Sequence, residues 1–176
     1  EGIKFSLLIL GGDGIGYFYS KSEWLDLINN FSSFCKLRQT NPLFITSTRT
    51  PIEVEELIKE KFDVSMSVLY HSEKARGKFD HLLYVADNIF VTEDSSTMLS
   101  EAVSSGKKVI SIFPQKINAP EKYLQIITKY QGLEFIERCS IENIDKFTFP
   151  RETNIQDKVD SSRKNFQRSL VERLKD

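Results

Sequence analysis

Short apolar runs that end on glycine or on hydroxyl-bearing residues recur along this chain, and they leave few folds open to it. Phe5–Leu10 (FSLLIL) closes on Gly11-Gly12-Asp13-Gly14-Ile15-Gly16. Leu43–Thr48, Val64–Tyr70, Asn88–Thr92 and Val109–Phe113 follow, and Leu133–Ile136 is a short last run. The first, a short continuous apolar run closed by glycines, reads as a strand buried on both faces, and the others read as further strands. Helical stretches lie between them. One is capped by Ser22 and continues through about Phe34. The next is entered at Pro51, with Glu53, Glu55 and Glu56 at its positive end. Another covers Phe79–Ala86. A fourth follows Glu93-Asp94-Ser95-Ser96, shows Met98, Leu99, Ala102 and Val103 as its apolar side, and ends at Gly106. Tyr123–Lys129 is the fifth.

Strands alternating with helices predict an α/β fold, a Rossmann-like three-layer α/β/α sandwich with about six parallel strands. A length of 176 residues suits one such domain over 1–176. The charged tail 154–176 carries Ile155, Val159, Phe166, Leu170 and Leu174 on one helical stripe, and so predicts an amphipathic closing helix. No Met opens the chain and an apolar run begins within its first residues, the appearance of a domain excised from a longer protein.

Composition removes several classes of function. A net charge of −1 gives no basic surface for nucleic acid. Cys35 and Cys139 fit no metal-ligand spacing, and two unpaired thiols suit a reducing cytoplasm. No apolar run approaches the roughly 20 residues that span a bilayer, so the expected location is cytoplasmic, or peripheral to a membrane.

In open parallel sheets ligands bind beyond the carboxyl ends of the strands. The loops there are the glycine cluster, Thr46–Pro51, Tyr70–Gly77 and Glu93–Thr97. Glycines allow backbone amides to approach a phosphate closely. The cluster is not the dinucleotide fingerprint, because counting from Gly12 the third glycine would fall at Tyr17, and no Walker lysine follows. A tight structural turn accounts for it equally well. Glu93–Gly106 (EDSSTMLSEAVSSG) is more informative. Ser95, Ser96 and Thr97 place hydroxyls and free N–H groups at a helix's positive end, and Glu101 lies one turn further in. A carboxylate there can accept from two ribose hydroxyls while a diphosphate sits on the turn. An N-capped helix with a solvated glutamate would show the same residues. Asp13, Asp87 and Asp94 stand singly, so no Asp-x-Asp pair offers a Mg²⁺–diphosphate site; neither a metal nor a cofactor is expected. His81 is expected on the outer side of its helix. Trp24 with Tyr17, Phe18 and Tyr19 serves packing or an interdomain face.

The run NIFVTEDSSTMLSEAVSSGKKVISIF resembles the nucleotide-sugar-binding segment of GT-B glycosyltransferases. LLILGG, TSTRTP and VTEDSSTMLSEAVSSGKKV together resemble the mitochondrial fission "elongated mitochondria" family, whose bacterial relatives are described as nucleoside-diphosphate-sugar epimerases or glycosyltransferases. The resemblance covers about Leu7–Phe113. It implies that Gly12, Asp13 and Gly14 face the donor phosphates, that Arg49 lies near the diphosphate, and that Ser95, Ser96, Thr97 and Met98 form the diphosphate turn. It also implies Glu101 as the ribose-binding residue. Thr46, Ser47, Tyr70 and His71 are candidates for base or sugar contacts. Where the family shows an Asn-Pro-Tyr-like stretch this chain has Gly77-Lys78-Phe79, so the resemblance assigns no base.

The expected function is therefore binding of a nucleoside-diphosphate sugar as the C-terminal half of a GT-B transferase. The acceptor site would lie on an N-terminal domain absent from this fragment, which alone would not be catalytic. A GT-B epimerase or hydrolase, and a non-enzymatic adaptor like the eukaryotic fission proteins, are the alternatives.

Overall fold

The computed structural model describes residues 2–72 and 77–148, together with Asp157, Asp160, Ser161 and Lys164 in helical conformation. Apart from those positions, the expected closing helix over 154–176 lies outside the described residues. In chain order the elements are β1 (Phe5–Ile9), β2 (Tyr17–Phe18), α1 (Lys21–Arg38), β3 (Asn41–Ile45), α2 (Ile52–Lys61) and α3 (Phe79–Val85). Then come β4 (Asn88–Thr92), α4 (Ser96–Ser104), β5 (Val109–Phe113), β6 (Lys116–Ile117), α5 (Glu121–Gly132) and β7 (Ile136–Ser140), closed by a 3-10 turn over Ile141–Asn143.

The five long strands form one parallel sheet in the order β3-β1-β4-β5-β7. β1 sits inside it, pairing Leu7 with Leu43 on one side and with Ile89 on the other. Right-handed crossovers then place α1 and α2 on one face and α3, α4 and α5 on the opposite face, because the direction of strand addition reverses at β1. α1 shows how the layers are joined. Ser20 and Glu23 form a reciprocal capping box at its start, and Gln39 closes it in the left-handed region at φ 54°. Trp24, Leu27, Ile28, Phe31, Phe34 and Cys35 are its buried stripe, at helical spacing. Phe31 meets Phe44 of β3 and Phe90 of β4 edge-on at 5.6 and 5.5 Å, and Phe34 meets Phe90 at 4.8 Å.

Three expectations need correction. Ser20, not Ser22, caps α1, because the residue three positions after Ser20 is the Glu23 that returns the hydrogen bond. The last strand lies at Ile136–Ser140, beyond the Leu133–Ile136 run. The expected third strand, Val64–Tyr70, is reduced to a single parallel bridge between Ile45 and Val68. Ser67 explains the loss: its own N–H turns back to the Val64 carbonyl at 2.9 Å, and its Oγ takes the Phe44 N–H at 3.1 Å that a strand carbonyl would have accepted. Counted with that bridge, the six segments still follow the doubly wound order 3-2-1-4-5-6, whose switch point lies between β1 and β4.

Beyond β4 two buried carboxylates stand in succession, Glu93 and Asp94, both fully inaccessible. Glu93 accepts from Arg138 Nε and Nη2 at 2.7 and 2.8 Å, from Ser111 Oγ at 2.7 Å and from the Tyr17 hydroxyl at 2.9 Å. These bonds tie β4 to β5, to β7 and to the small β2–β6 ribbon. Glu93→Ala would strand a guanidinium and two hydroxyls, and should cost about 3–5 kcal/mol. Glu93→Gln, which keeps the shape, should lose less, about 1.5–3 kcal/mol. Urea unfolding of both variants checks this; equal, sub-kilocalorie losses would mean the network carries little stability.

Candidate functional site

The crevice at the switch point is built by the loops that leave β1, β3 and β4. Asp94 is its centre. Its Oδ2 accepts from the Gly12 N–H at 2.9 Å and from Arg49 Nη2 at 2.9 Å. Thr92 Oγ1 holds the Gly11 N–H at 2.8 Å, and Thr50 Oγ1 donates to the Gly11 carbonyl at 2.6 Å. The glycines are demanded by this packing. A Cβ on Gly11 would lie 2.0 Å from Asp94 Oδ2, and one on Gly12 would lie 2.2 Å from the Arg49 carbonyl oxygen, which cannot retreat as a side chain could.

The amides of Gly11, Gly12 and Gly14 are used inside the protein. Gly11 and Gly12 donate to Thr92 and Asp94, and the Gly14 N–H donates to the Tyr17 carbonyl at 3.2 Å. Asp13 is exposed, and its Oδ1 accepts from the Tyr19 N–H at 3.0 Å. What the loop presents outward is the Arg49 guanidinium lying across it, its Nη1 directed at the carbonyls of Asp13 and Asp94 at 3.4 and 3.5 Å. The Arg49 side chain is 38% exposed while its partner Asp94 is fully buried.

Immediately after Asp94 comes the start of α4. Ser95 is the N-cap, its Oγ accepting from the Met98 N–H at 3.4 Å. Ser96 and Thr97 are exposed, whereas Met98 packs against the core. Arg49, the glycine loop and the Ser95–Thr97 turn thus share one place. Glu101 is exposed and faces a groove of about 510 Å³ between α3 and α4, whose lining also includes Thr97, Asp80, Ser100 and Lys107. Thr97 is common to the turn and the groove.

Thr46, Ser47, Tyr70 and His71 form a second group on the β3 side. The Thr46 hydroxyl is buried, donating to Glu55 Oε1 and accepting from the Tyr70 N–H at 2.8 Å. Glu55, itself fully buried, also accepts from the His71 N–H at 3.0 Å. Ser47 Oγ donates to the Gly11 carbonyl at 3.2 Å and accepts the Arg49 N–H. Only Tyr70 and His71 of this group present their rings outward, edge to face at 4.9 Å. His81 is exposed, as expected; Trp24, Tyr17 and Tyr19 are buried and Phe18 is exposed on the β2–β6 ribbon. Cys35 and Cys139 are buried free thiols, both pushed up to about 11, by burial above all.

Asp94, Glu93, Arg138, Thr50 and Glu55 were not singled out by sequence as parts of the site's scaffold. The TSTRTP stretch holds Thr50 beside Arg49, and was a usable signal for it. Nothing local marks Arg138.

No helix among the described residues is long and apolar enough to cross a membrane. The sequence profile of the family described as Mitochondrial fission ELM1 matches residues 3–140. An uncharacterized protein of Rickettsia prowazekii (strain Madrid E) is 30% identical over 122 residues, 66% of this chain and 33% of the relative. The chain therefore spans about a third of that relative's length.

Burial pushes the Asp94 carboxyl above its ordinary 3.8, against hydrogen bonds from Thr92 and the Gly12 amide and the charge of Arg49, which pull it down. A carboxyl raised in the folded state binds its proton more tightly there than when unfolded, so its contribution favours folding at low pH and fades as pH rises through the raised value. Arg49 offsets that loss by stabilising the ionised form. Arg49→Ala should therefore cost about 1 kcal/mol near neutral pH, allowing for screening of a half-exposed guanidinium. The deficit should shrink as pH falls through the raised value, where the folded Asp94 takes up its proton. Urea midpoints measured from about pH 7 to pH 4 test this; a deficit that is constant with pH would show that Arg49 does not act through the Asp94 charge.

Proposed function

The chain belongs to the mitochondrial fission ELM1 family, and from that premise we propose that it binds the diphosphate of a nucleoside-diphosphate sugar at the β1/β4 crevice, as the C-terminal half of a two-domain GT-B glycosyltransferase. One observation carries this: a guanidinium anchored on a buried carboxylate lies beside the exposed first turn of α4, next to a groove that offers a carboxylate one turn further on. Helix-end N–H groups and a planar cation are the donors that a diphosphate requires. With the glycine amides used internally, the role of that loop is to carry Arg49. The Glu101 carboxylate accepts from the two ribose hydroxyls. As the nucleoside diphosphate leaves, its charge is taken up by the α4 amides and Arg49, with no step assigned to a metal.

The acceptor, and the group that activates it, come from the part of the longer protein that the relative's length suggests. The isolated 176-residue chain is accordingly expected to bind donor without turning it over.

Calorimetric titration with a nucleoside diphosphate tests the site, in EDTA and in Mg²⁺, where equal affinity is expected. Glu101→Ala leaves an exposed helix position with slightly better helix propensity, so the melting temperature without ligand should hold. Affinity should fall about tenfold to a hundredfold, the range of charge-assisted hydrogen bonds worth about 1.5–3 kcal/mol. A 2′,3′-dideoxy nucleotide should bind both proteins alike. If the variant holds the ribonucleotide as tightly as the parent does, the ribose assignment is wrong; if no nucleotide binds at all, the non-enzymatic adaptor function takes its place.

A further inference from the structure

The groove between α3 and α4 is one-sided in its chemistry. Its lining includes two carboxylates, Asp80 on the first turn of α3 and Glu101 on α4, and neither makes a hydrogen bond or ion pair among the described residues. Lys107, the cation in the lining, has its ammonium on the carbonyls of Leu83, Tyr84 and Ala86, where it closes the end of α3. Its three protons are taken. The Ser100 and Ser105 hydroxyls donate to carbonyls of their own helix, those of Ser96 and Ala102. The wall thus sets two unpaired carboxylates beside the hydroxyls of Thr97 and Tyr84, and a ligand lying against Asp80 and Glu101 has to bring donors to them.

Placement of the ligand follows from the order of groups along α4. With the diphosphate on the Ser95–Thr97 turn and the ribose at Glu101, the base falls against α3, whose first turn carries Asp80. Phe79 and Leu83 give that wall its apolar surface. A volume of about 510 Å³ is within the usual range for small-ligand sites.

We propose that Asp80 reads the base and that the base is guanine, an inference that rests on the nucleotide-binding function proposed above. Guanine presents N1–H and the N2 amino group side by side, two donors at the spacing of the two carboxylate oxygens, so one aspartate takes both in a bidentate pair. Uracil presents a single N–H between two carbonyl oxygens, which a carboxylate repels. Adenine and cytosine set an amino donor beside a ring-nitrogen acceptor, and one Asp80 oxygen would then face a lone pair.

The experiment is calorimetric titration of the 176-residue chain with GDP, IDP, ADP and UDP, repeated on Asp80→Asn and on Glu101→Ala. IDP is the analogue of GDP whose base, hypoxanthine, lacks the N2 amino group. GDP is expected to bind about tenfold or more tighter than UDP, and IDP to lose most of that advantage, as the loss of one arm of a bidentate charged pair requires. Asp80→Asn should bring GDP to within about threefold of IDP and should not weaken UDP, since the carboxamide N–H removes the repulsion of a uracil carbonyl. Asp80 is exposed, and an unaltered melting temperature separates loss of recognition from loss of fold. Equal affinity for all four nucleotides, or a GDP preference that survives Asp80→Asn, overturns the guanine assignment; if Glu101→Ala still weakens binding in that case, the nucleotide site itself stands. Failure of all four to bind overturns both.

Discussion

The Asp94 carboxylate decides the shape of the crevice at the carboxyl ends of the strands, and it does so with a single oxygen. Oδ2 holds the Gly12 amide and the Arg49 guanidinium together, so the loop after β1 and the loop after β3 cannot move independently of the end of β4. Its neighbour Glu93 does the corresponding work on the other side, reaching Ser111 on β5 and Arg138 on β7. Two adjacent acids at the end of the central β4 thus fasten both lateral halves of the sheet, Asp94 toward the loops after β1 and β3 and Glu93 toward β5 and β7. A buried carboxylate is costly unless every lone pair finds a donor. Here each acid finds an arginine and further donors from backbone or hydroxyl, and those bonds define the crevice.

Sequence made the sheet legible where burial is continuous. The runs Asn88–Thr92 and Val109–Phe113 are strands at the residues expected, since each is mostly apolar and buried along all but one end residue. It misled at Val64–Tyr70, where the apolar content is similar but Ser67 hydrogen-bonds to the backbone of β3 in place of a strand carbonyl. A short polar side chain competing with the ladder is a local event that hydrophobic content does not register. The cap of α1 was misplaced by two residues for a related reason: Ser20 and Ser22 are both eligible caps, and only the returning bond from Glu23 distinguishes them.

The candidate site was legible in part. Ser95, Ser96 and Thr97 open α4, and Glu101 stands on the same groove as Thr97, as a one-turn spacing requires. The fastening of that turn was not legible. In sequence Glu93-Asp94 looks like any acidic loop before a helix, and the partners that bury it, Arg49 and Arg138, each lie 45 positions away. The glycine cluster had two equal readings in sequence, a tight structural turn and amides bared for a phosphate; in the structure the absence of Cβ admits Asp94 and Arg49 against the backbone. Glycine reports close approach; it does not report what approaches.

Pairing with Asp94 also fixes what Arg49 can contribute to the proposed diphosphate site. A guanidinium already beside a carboxylate at 2.9 Å is nearly neutral as a pair, so its long-range pull on an anion is weak. Its value is geometric. The side chain is held in place before any ligand arrives, which removes the ordering cost of about 0.5–1.5 kcal/mol that a free arginine would incur on binding. Attraction then comes chiefly from the first-turn amides of α4, where Ser95 caps the Met98 N–H and no acidic residue stands in the first turn. Helix end and guanidinium divide the task between charge and direction, and Asp94 links them because it precedes the N-cap by one residue while holding Arg49. That arrangement accounts for a conspicuous feature of the crevice: an acid fully buried at a place proposed to receive an anion.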